Sequence, residues 1–397
     1  MAIQLAQLHE HLLLVGLSSR DRAVEQWQQV GPTIDVATLR DRRAIKLLPL
    51  VWRSLAEAGV QDPQLAALEA IANRTRASNE LLFEQLRSAL EVLDIAGIRT
   101  LGLKGVPLVV SYYLDSGLRP MSDADLLVDP TDAARTIAVM REAGWRLARE
   151  PRDFVGRAEA TFASPDHEGV VDVHWRLDPW VTRNAAGRDP ALWAAASPID
   201  VLGHEMLAPA PHDLALHVVL HAYRSEWERV VRWVPDLVLV LRDSGALFDW
   251  DVFVQRVETG HLVLPVREAL EYVRTTFDAP VPGWVIDRLH AARPSRRERR
   301  KHRIASTRQT QRHWLFGQGL EFRTRWARVS VNYARATATR ALPAFLRARA
   351  DVDHLATWPF VVAGRRIRRA GAARADERPP APSSRSGQLG DGASERL

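Results

Sequence analysis

Gly117-Leu118-Arg119-Pro120-Met121-Ser122-Asp123-Ala124-Asp125-Leu126-Leu127-Val128 is the stretch of this chain that decides its fold. Its second half, Asp123 to Val128, has the composition of a strand. On a strand, side chains two apart point to one face, so Asp123 and Asp125 present two carboxylates together while Ala124 and Leu126 take the other face. Like charges that close repel, and a cation relieves them. A hard divalent ion such as Mg²⁺ (or Mn²⁺) prefers oxygen ligands of this kind. Downstream, Asp129-Pro130-Thr131-Asp132 supplies an N-cap, a Pro at the first helical position and early acidic charge, which predicts a helix ending near Gly144. Upstream, Ile98-Arg99-Thr100-Leu101-Gly102-Leu103 reads as a β-like run, followed by Lys104-Gly105 and a helix of roughly ten residues.

Further along, residues 160–163 and 170–177 are β-like and are joined by Ser164-Pro165-Asp166-His167-Glu168-Gly169, whose Pro, Asp and Gly predict a hairpin turn. Within Val170-Val171-Asp172-Val173-His174-Trp175, a charge among β-branched residues is unexpected on propensity alone, so Asp172 needs a partner. If this strand neighbours the Asp123–Val128 strand, three carboxylates converge. That is the number needed to hold two metal ions around a phosphoryl group undergoing in-line displacement. His174 shares a face with Asp172 and either orients it or touches the substrate; a hydrogen-bonded structural histidine is the competing reading.

The flanks are helical. Apolar residues recur three and four apart in Leu47, Leu48, Val51, Trp52, Leu55 and in Leu82, Phe83, Leu86, Leu90, Leu93, with Gly59 and Gly97 as helix ends. Helical spacing returns beyond Pro179 in Leu214, His217, Val218, His221 and then Leu237 and Leu241. His217 and His221 have the spacing of metal ligands, but no Glu lies between them in the order His-Glu-x-x-His, and a packed helix face is the expectation. The fold class expected is α+β, a small mixed-sheet core flanked by helical segments. Its expected divisions are 1–97 helical, 98–178 core, 179–290 helical, 291–369 a basic and mostly helical extension, and 370–397 a disordered tail.

Composition sets the outer bounds. At 397 residues, with 46% hydrophobic and 26% charged residues and 13 Trp, the chain is expected to bury more than one core. The absence of cysteine excludes disulfides and thiolate metal sites and leaves carboxylates and His as strong ligands. The amino terminus does not read as a signal peptide, and no apolar run approaches the roughly 20 residues of a spanning helix, so a cytoplasmic protein is expected. Residues 291–397 hold 24 Lys/Arg against 8 Asp/Glu, whereas the preceding segment holds 30 against 40. This asymmetry points to an anionic partner for the basic part, either nucleic acid, a membrane surface or the acidic body itself.

Leu103-Lys104-Gly105, the stretch 117–128 and Val171-Asp172-Val173-His174-Trp175 together resemble the uncharacterised nucleotidyltransferase family of bacteria, which is similar to the polymerase-beta-like superfamily. The pattern shared is a glycine turn opening a helix, an Asp-x-Asp strand and a later single acid. The resemblance implies that Asp123 and Asp125 ligate the metals and that Asp172 helps activate the attacking hydroxyl. It further implies that Lys104-Gly105 faces the triphosphate of an NTP. Val106 stands where the superfamily usually carries Gly or Ser, and 18 positions separate Gly105 from Asp123. Lys104 and Arg119 would then pair with phosphate oxygens in place of a Ser hydroxyl, and Ser122 and His174 complete the candidate nucleotide contacts. The activity implied is metal-dependent transfer of a nucleoside monophosphate from an NTP to an acceptor. The alternatives are a catalytically silent nucleotide- or phospho-ligand-binding protein, and a nucleic-acid-associated protein acting through its basic region.

Overall fold

The computed structural model describes residues 3, 5–148, 152–154, 157–165, 169–176, 189–224, 231–296, 298–300 and 302. The Arg-rich stretch beyond residue 302 and the tail 370–397 therefore lie outside the described residues.

Five helices come first: α1 (Gln7–Leu17), α2 (Arg20–Val30), α3 (Arg42–Ile45), α4 (Leu48–Ala58) and α5 (Leu65–Ile95). Helix α4 carries Pro49 in its first turn and stops at Gly59, whose φ of 70° is the left-handed cap that a side-chain-bearing residue adopts at a cost. The mixed part follows: β1 (Leu101–Leu103), α6 (Gly105–Leu108), β2 (Ala124–Leu127), α7 (Ala133–Glu142), β3 (Arg146–Leu147), β4 (Arg152–Phe154), β5 (Arg157–Ala163), β6 (Val170–His174), α8 (Pro190–Ala195), β7 (Ser197–Val201) and β8 (His204–Ala208). Four long helices come next: α9 (Pro211–Arg224), α10 (Trp233–Asp243), α11 (Trp250–Gly260) and α12 (Val263–Phe277), then the shorter α13 (Gly283–Ala291).

The sheet runs in the order β3-β5-β6-β2-β1-β8-β7, with β4 paired to β5. It is mixed: β2 is parallel to β6 and β1 to β8, while β1 and β2, β5 and β6, and β7 and β8 are antiparallel. The α+β expectation holds. The expected helix after Lys104 is α6, continued by a wider π-helical turn over Val109–Tyr113, and β5 and β6 form the expected hairpin. Two features differ from expectation. Strand β2 begins at Ala124, so Asp123 lies just before the ladder rather than on it. The sheet also reaches past residue 178, because β7 and β8 return to pair with β1.

Two apolar cores are joined by α5. Its first half contributes Leu68 to a helical core built from α1, α2 and α4 together with α9 to α13. Its second half contributes Leu82, Leu86, Leu90 and Leu93, which pack against Ala124, Leu126, Val171 and Val173 of the sheet. A helix of 31 residues spans both cores because its apolar stripe is sustained at helical spacing. Beyond α13, Glu298 is buried and accepts from the Leu264 N–H at 2.9 Å, so the start of the basic region packs on α12. No helix among the described residues is long and apolar enough to cross a membrane.

Candidate active site

Asp125 of β2 stands in register with Asp172 of the parallel strand β6, which puts two carboxylates side by side on one face of the sheet. His174 shares that face, two residues past Asp172, while Val171 and Val173 alternate into the core. On the other side of β2, Leu103 of β1 opposes Asp125. The next residue, Lys104, turns the chain with φ 52° and ψ −111°. A residue with a side chain adopts such a backbone at a cost of about 1–3 kcal/mol, and such outliers concentrate at functional sites. This turn delivers the Lys104 ammonium to Asp125 Oδ1. The same oxygen takes a 2.9 Å hydrogen bond from His174 Nε2. A carboxylate only accepts, so the imidazole carries a proton on Nε2. Its other nitrogen, Nδ1, lies 3.8 Å from Glu159 on β5, the residue directly across the ladder.

The two acids are electrostatically unlike. Burial pushes the Asp125 carboxyl up, but the Lys104 ammonium and His174 outweigh it and hold the group well below the usual carboxylate range. Asp172 is pushed the other way, first by burial and then by the charges of Asp125 and Asp123, against a hydrogen bond from Thr161. Asp172 Oδ1 is buried and has no hydrogen-bond partner. A buried carboxylate oxygen without a donor is costly unless something else satisfies it. Ligand atoms of Asp125, Asp172 and His174 all fall within 4.8 Å of one another. Two carboxylates with a free oxygen between strands suit a hard divalent cation.

The loop leading into β2 is fastened on two sides. From α5, Asn79, wholly buried, donates to the carbonyls of Ser116 and Arg119 at 2.6 and 2.8 Å and accepts from the Met121 N–H at 3.1 Å. Arg76 grips Asp115 through Nη2 at 2.9 Å and Nε at 3.3 Å. From α10, Asp236 receives Arg119 Nε at 2.7 Å and Nη2 at 2.8 Å, and the Tyr113 hydroxyl at 2.8 Å. Just before α10, Arg232 donates to the Pro120 carbonyl. The irregular chain between Tyr113 and Ala124 is thereby fastened to both α5 and α10, as a site requiring fixed geometry demands.

A sequence profile of a family described as uncharacterised nucleotidyltransferase matches residues 38–278, a span that contains the whole of this site. The chain belongs to this family. No protein with a curated description matches it. Two solved structures resemble part of the nucleotidyltransferase. The antibiotic-resistance factor ANT(2'')-Ia is 14% identical, with a TM-score of 0.33 over 50% of this chain and 98% of its own. An antigenic nucleotidyltransferase-like protein from Paracoccidioides brasiliensis is 14% identical, with a TM-score of 0.37 over 53% of this chain and 97% of its own.

Of the residues singled out in the nucleotidyltransferase sequence, Asp125, Asp172, His174 and Lys104 converge. Asp123 stands at the head of β2, half-exposed, with its Oδ1 taking a 3.0 Å hydrogen bond from the exposed Ser122 hydroxyl. It lies outside the 4.8 Å group. Gly105 opens α6, where a Cβ would come within 2.6 Å of Met121 Sδ and 2.9 Å of Arg119 Nη1. Arg119 differs from expectation: it is 7% exposed and two of its guanidinium nitrogens are committed to Asp236. It ties the loop to α10.

Lys46 and Arg232 carry no site signal in the sequence, and His217 and His221 carry only that of a helix face. His217 and His221 of α9 are half-buried, and each senses the charges of Lys104 and Asp125. Burial and then Lys104 push them down to about 3 and about 4, which keeps both imidazoles neutral. The helix-face reading captured their burial and missed what they face; a spacing of four gives a face and leaves its neighbour open. Lys46, just after α3, and Arg232 stand close enough to Asp123 for their charges to couple to it. A lone lysine in a helical segment carries no signal of this in sequence.

Proposed function

We propose that the nucleotidyltransferase moves a nucleoside monophosphate from an NTP to an acceptor hydroxyl or other nucleophile, with Mg²⁺ or Mn²⁺ held by Asp125 and Asp172 and completed from the solvent side by Asp123. The observation that carries this reading is the register of β2 and β6. It sets two acids from different strands together and leaves Asp172 Oδ1 buried without a donor. When bound, a divalent ion neutralises charge developing on the phosphate oxygens.

The chain's own residues supply position and proton handling. Asp172, with its proton affinity raised by burial and by Asp125, takes the acceptor's hydroxyl proton as its oxygen attacks the α-phosphorus. The bond from the α-phosphorus to its bridging oxygen breaks, and pyrophosphate leaves. Lys104 and His174 share Asp125 Oδ1, so both hold this carboxylate ionised and oriented before any ligand arrives. His174 is held in turn beside Glu159. Arg119, Asp236 and Asn79 fix the loop that presents Asp123.

Each of the four α-labelled NTPs, offered with Mg²⁺ and a cell extract, tests this reading. The parent protein is expected to pass label to an acceptor in the extract, and Asp125→Asn is expected to pass none. Equal labelling by the two proteins would overturn the assignment.

A further inference from the structure

His174 stands between two carboxylates. Its Nε2 lies 2.9 Å from Asp125 Oδ1 and its Nδ1 lies 3.8 Å from Glu159 Oε2, so the ring links β2 to β5 across β6. The hairpin register makes this placement: Glu159 pairs directly with His174, and Thr161 with Asp172, so all four side chains leave the sheet on one face. Thr161 serves Asp172 with a hydrogen bond, while both imidazole nitrogens face the other two acids. Asp172 Oδ1 stays buried and without a donor in the same group of atoms. A network built only to pair charges would have closed on that oxygen.

The separations suit the coordination sphere of one ion. Ligand atoms about 2.1 Å from a cation stand roughly 3.0 Å apart along an octahedral edge and roughly 4.2 Å apart across it. The 2.9 Å between His174 Nε2 and Asp125 Oδ1 matches an edge, and Asp172 completes a group no wider than 4.8 Å. A proton on Nε2 bridges that edge; a cation takes its place when the ring carries its proton on Nδ1 instead. Metal-bound histidines commonly donate their second nitrogen to a carboxylate, which fixes the tautomer and makes the first nitrogen a better ligand. Glu159 is the carboxylate on that side of the ring. An imidazole nitrogen among the oxygens also changes which ion is favoured, because Mg²⁺ takes oxygen ligands whereas imidazole suits first-row transition ions.

We infer that His174 is a ligand of the metal through Nε2, that Glu159 is its positioning residue, and that the site therefore favours Mn²⁺ or another first-row transition ion over Mg²⁺. This assignment rests on the nucleotidyl-transfer reading above and deepens it by naming the class of cation. The ring keeps its place in both states. Its proton moves, by exchange with solvent, from the nitrogen facing Asp125 to the nitrogen facing Glu159, and the lone pair left on Nε2 joins the oxygens of Asp125 and Asp172.

Electron spin echo modulation of Mn²⁺ bound to the full chain reads the nitrogen directly, without knowledge of the base or the acceptor. The parent should show the coupling of a directly bound imidazole nitrogen, and His174→Asp should bind Mn²⁺ without it. His217→Asn, which alters a histidine of α9 that senses the same charges, should keep the coupling. Mg²⁺ should displace Mn²⁺ about tenfold more readily from His174→Asp than from the parent, because the variant offers oxygen alone. Glu159→Ala should weaken Mn²⁺ uptake by about tenfold or more, and Glu159→Gln should recover most of that loss because its amide oxygen still accepts from Nδ1. Mn²⁺ bound to the parent with no nitrogen coupling would overturn the inference. If that happens while Asp125→Asn still weakens uptake and abolishes label transfer, the acids alone hold the ion and the transferase reading stands. If the coupling depends on His174 but no NTP donates label, the histidine ligand stands and nucleotidyl transfer falls. A parent that takes up no Mn²⁺ would overturn both.

Discussion

Two buried acids with cationic partners lie on either side of the loop that enters β2, and they are built to opposite standards. Asp236 is complete: Arg119 meets it with two nitrogens and Tyr113 adds a third donor. Asp125 is crowded on one oxygen, where Lys104 and His174 both bond, and its register neighbour Asp172 keeps a buried oxygen with no donor at all. A saturated pair serves the fold. An unsaturated pair is maintained at the expense of the fold, and that cost is intelligible if a ligand completes it.

The largest effect expected from this contrast lies on the complete side. Asp236→Ala leaves Arg119 buried without its counter-charge and should cost about 3–5 kcal/mol of stability, read as a shifted midpoint in chemical denaturation. A loss under about 1 kcal/mol would mean that the strut carries little. On the incomplete side, Asp172→Ala should leave the midpoint unchanged or raised, since it removes an unsatisfied oxygen and a charge that repels Asp125 and Asp123. Label transfer should fall by about a hundredfold or more, on the order of 3 kcal/mol of lost transition-state stabilisation, while NTP affinity stays within a few-fold. Parallel loss of affinity and rate would mean that the metal held at Asp172 serves nucleotide binding as much as the transfer step.

Smaller effects sharpen the same contrast. Gly105→Ala pushes a methyl toward Met121 Sδ and Arg119 Nη1. It should cost about 1–3 kcal/mol as an overpacked site, and Met121→Ala in the same chain should recover part of this by making room. Smallest is a pH effect from α9. Folding lowers His217 to about 3 and His221 to about 4 from an ordinary 6.5. The folded state therefore binds protons less readily than the unfolded state. Their contribution to stability is full above pH 6.5 and is lost as pH falls toward 4. His217→Asn should flatten the midpoint between pH 6.5 and 4; a profile as steep as the parent's would show that His217 protonates freely in the folded state.

Sequence reasoning reached the acid side of this contrast and missed the complete one, for physical reasons. Period-two alternation marks β2 and β6 whatever surrounds them, and a charge among valines announces Asp172 as an acid in need of a partner. The helix after Lys104, the hairpin and the cap at Gly59 are likewise local signals. Arg119 and Asp236 meet across 117 positions, and nothing near either residue marks the other. The return of β8 to β1 depends on the same kind of distant pairing, for which Leu101 and Leu207 offer only ordinary apolar side chains. Alternation extends the strand to Asp123, yet the ladder starts one residue later and the half-exposed carboxylate stands outside the tightest group of ligand atoms. Lys46 had no pattern to belong to.

Uptake of Mn²⁺ by the full chain, followed by the electron paramagnetic resonance signal of the free ion, tests most directly whether the paired acids of β2 and β6 form a metal site. The parent should remove Mn²⁺ from solution, Asp125→Asn and Asp172→Ala should each weaken uptake by about tenfold or more, and Asp236→Asn should retain it as long as the chain remains folded. Equal uptake by the parent and the Asp125→Asn and Asp172→Ala variants would contradict the assignment.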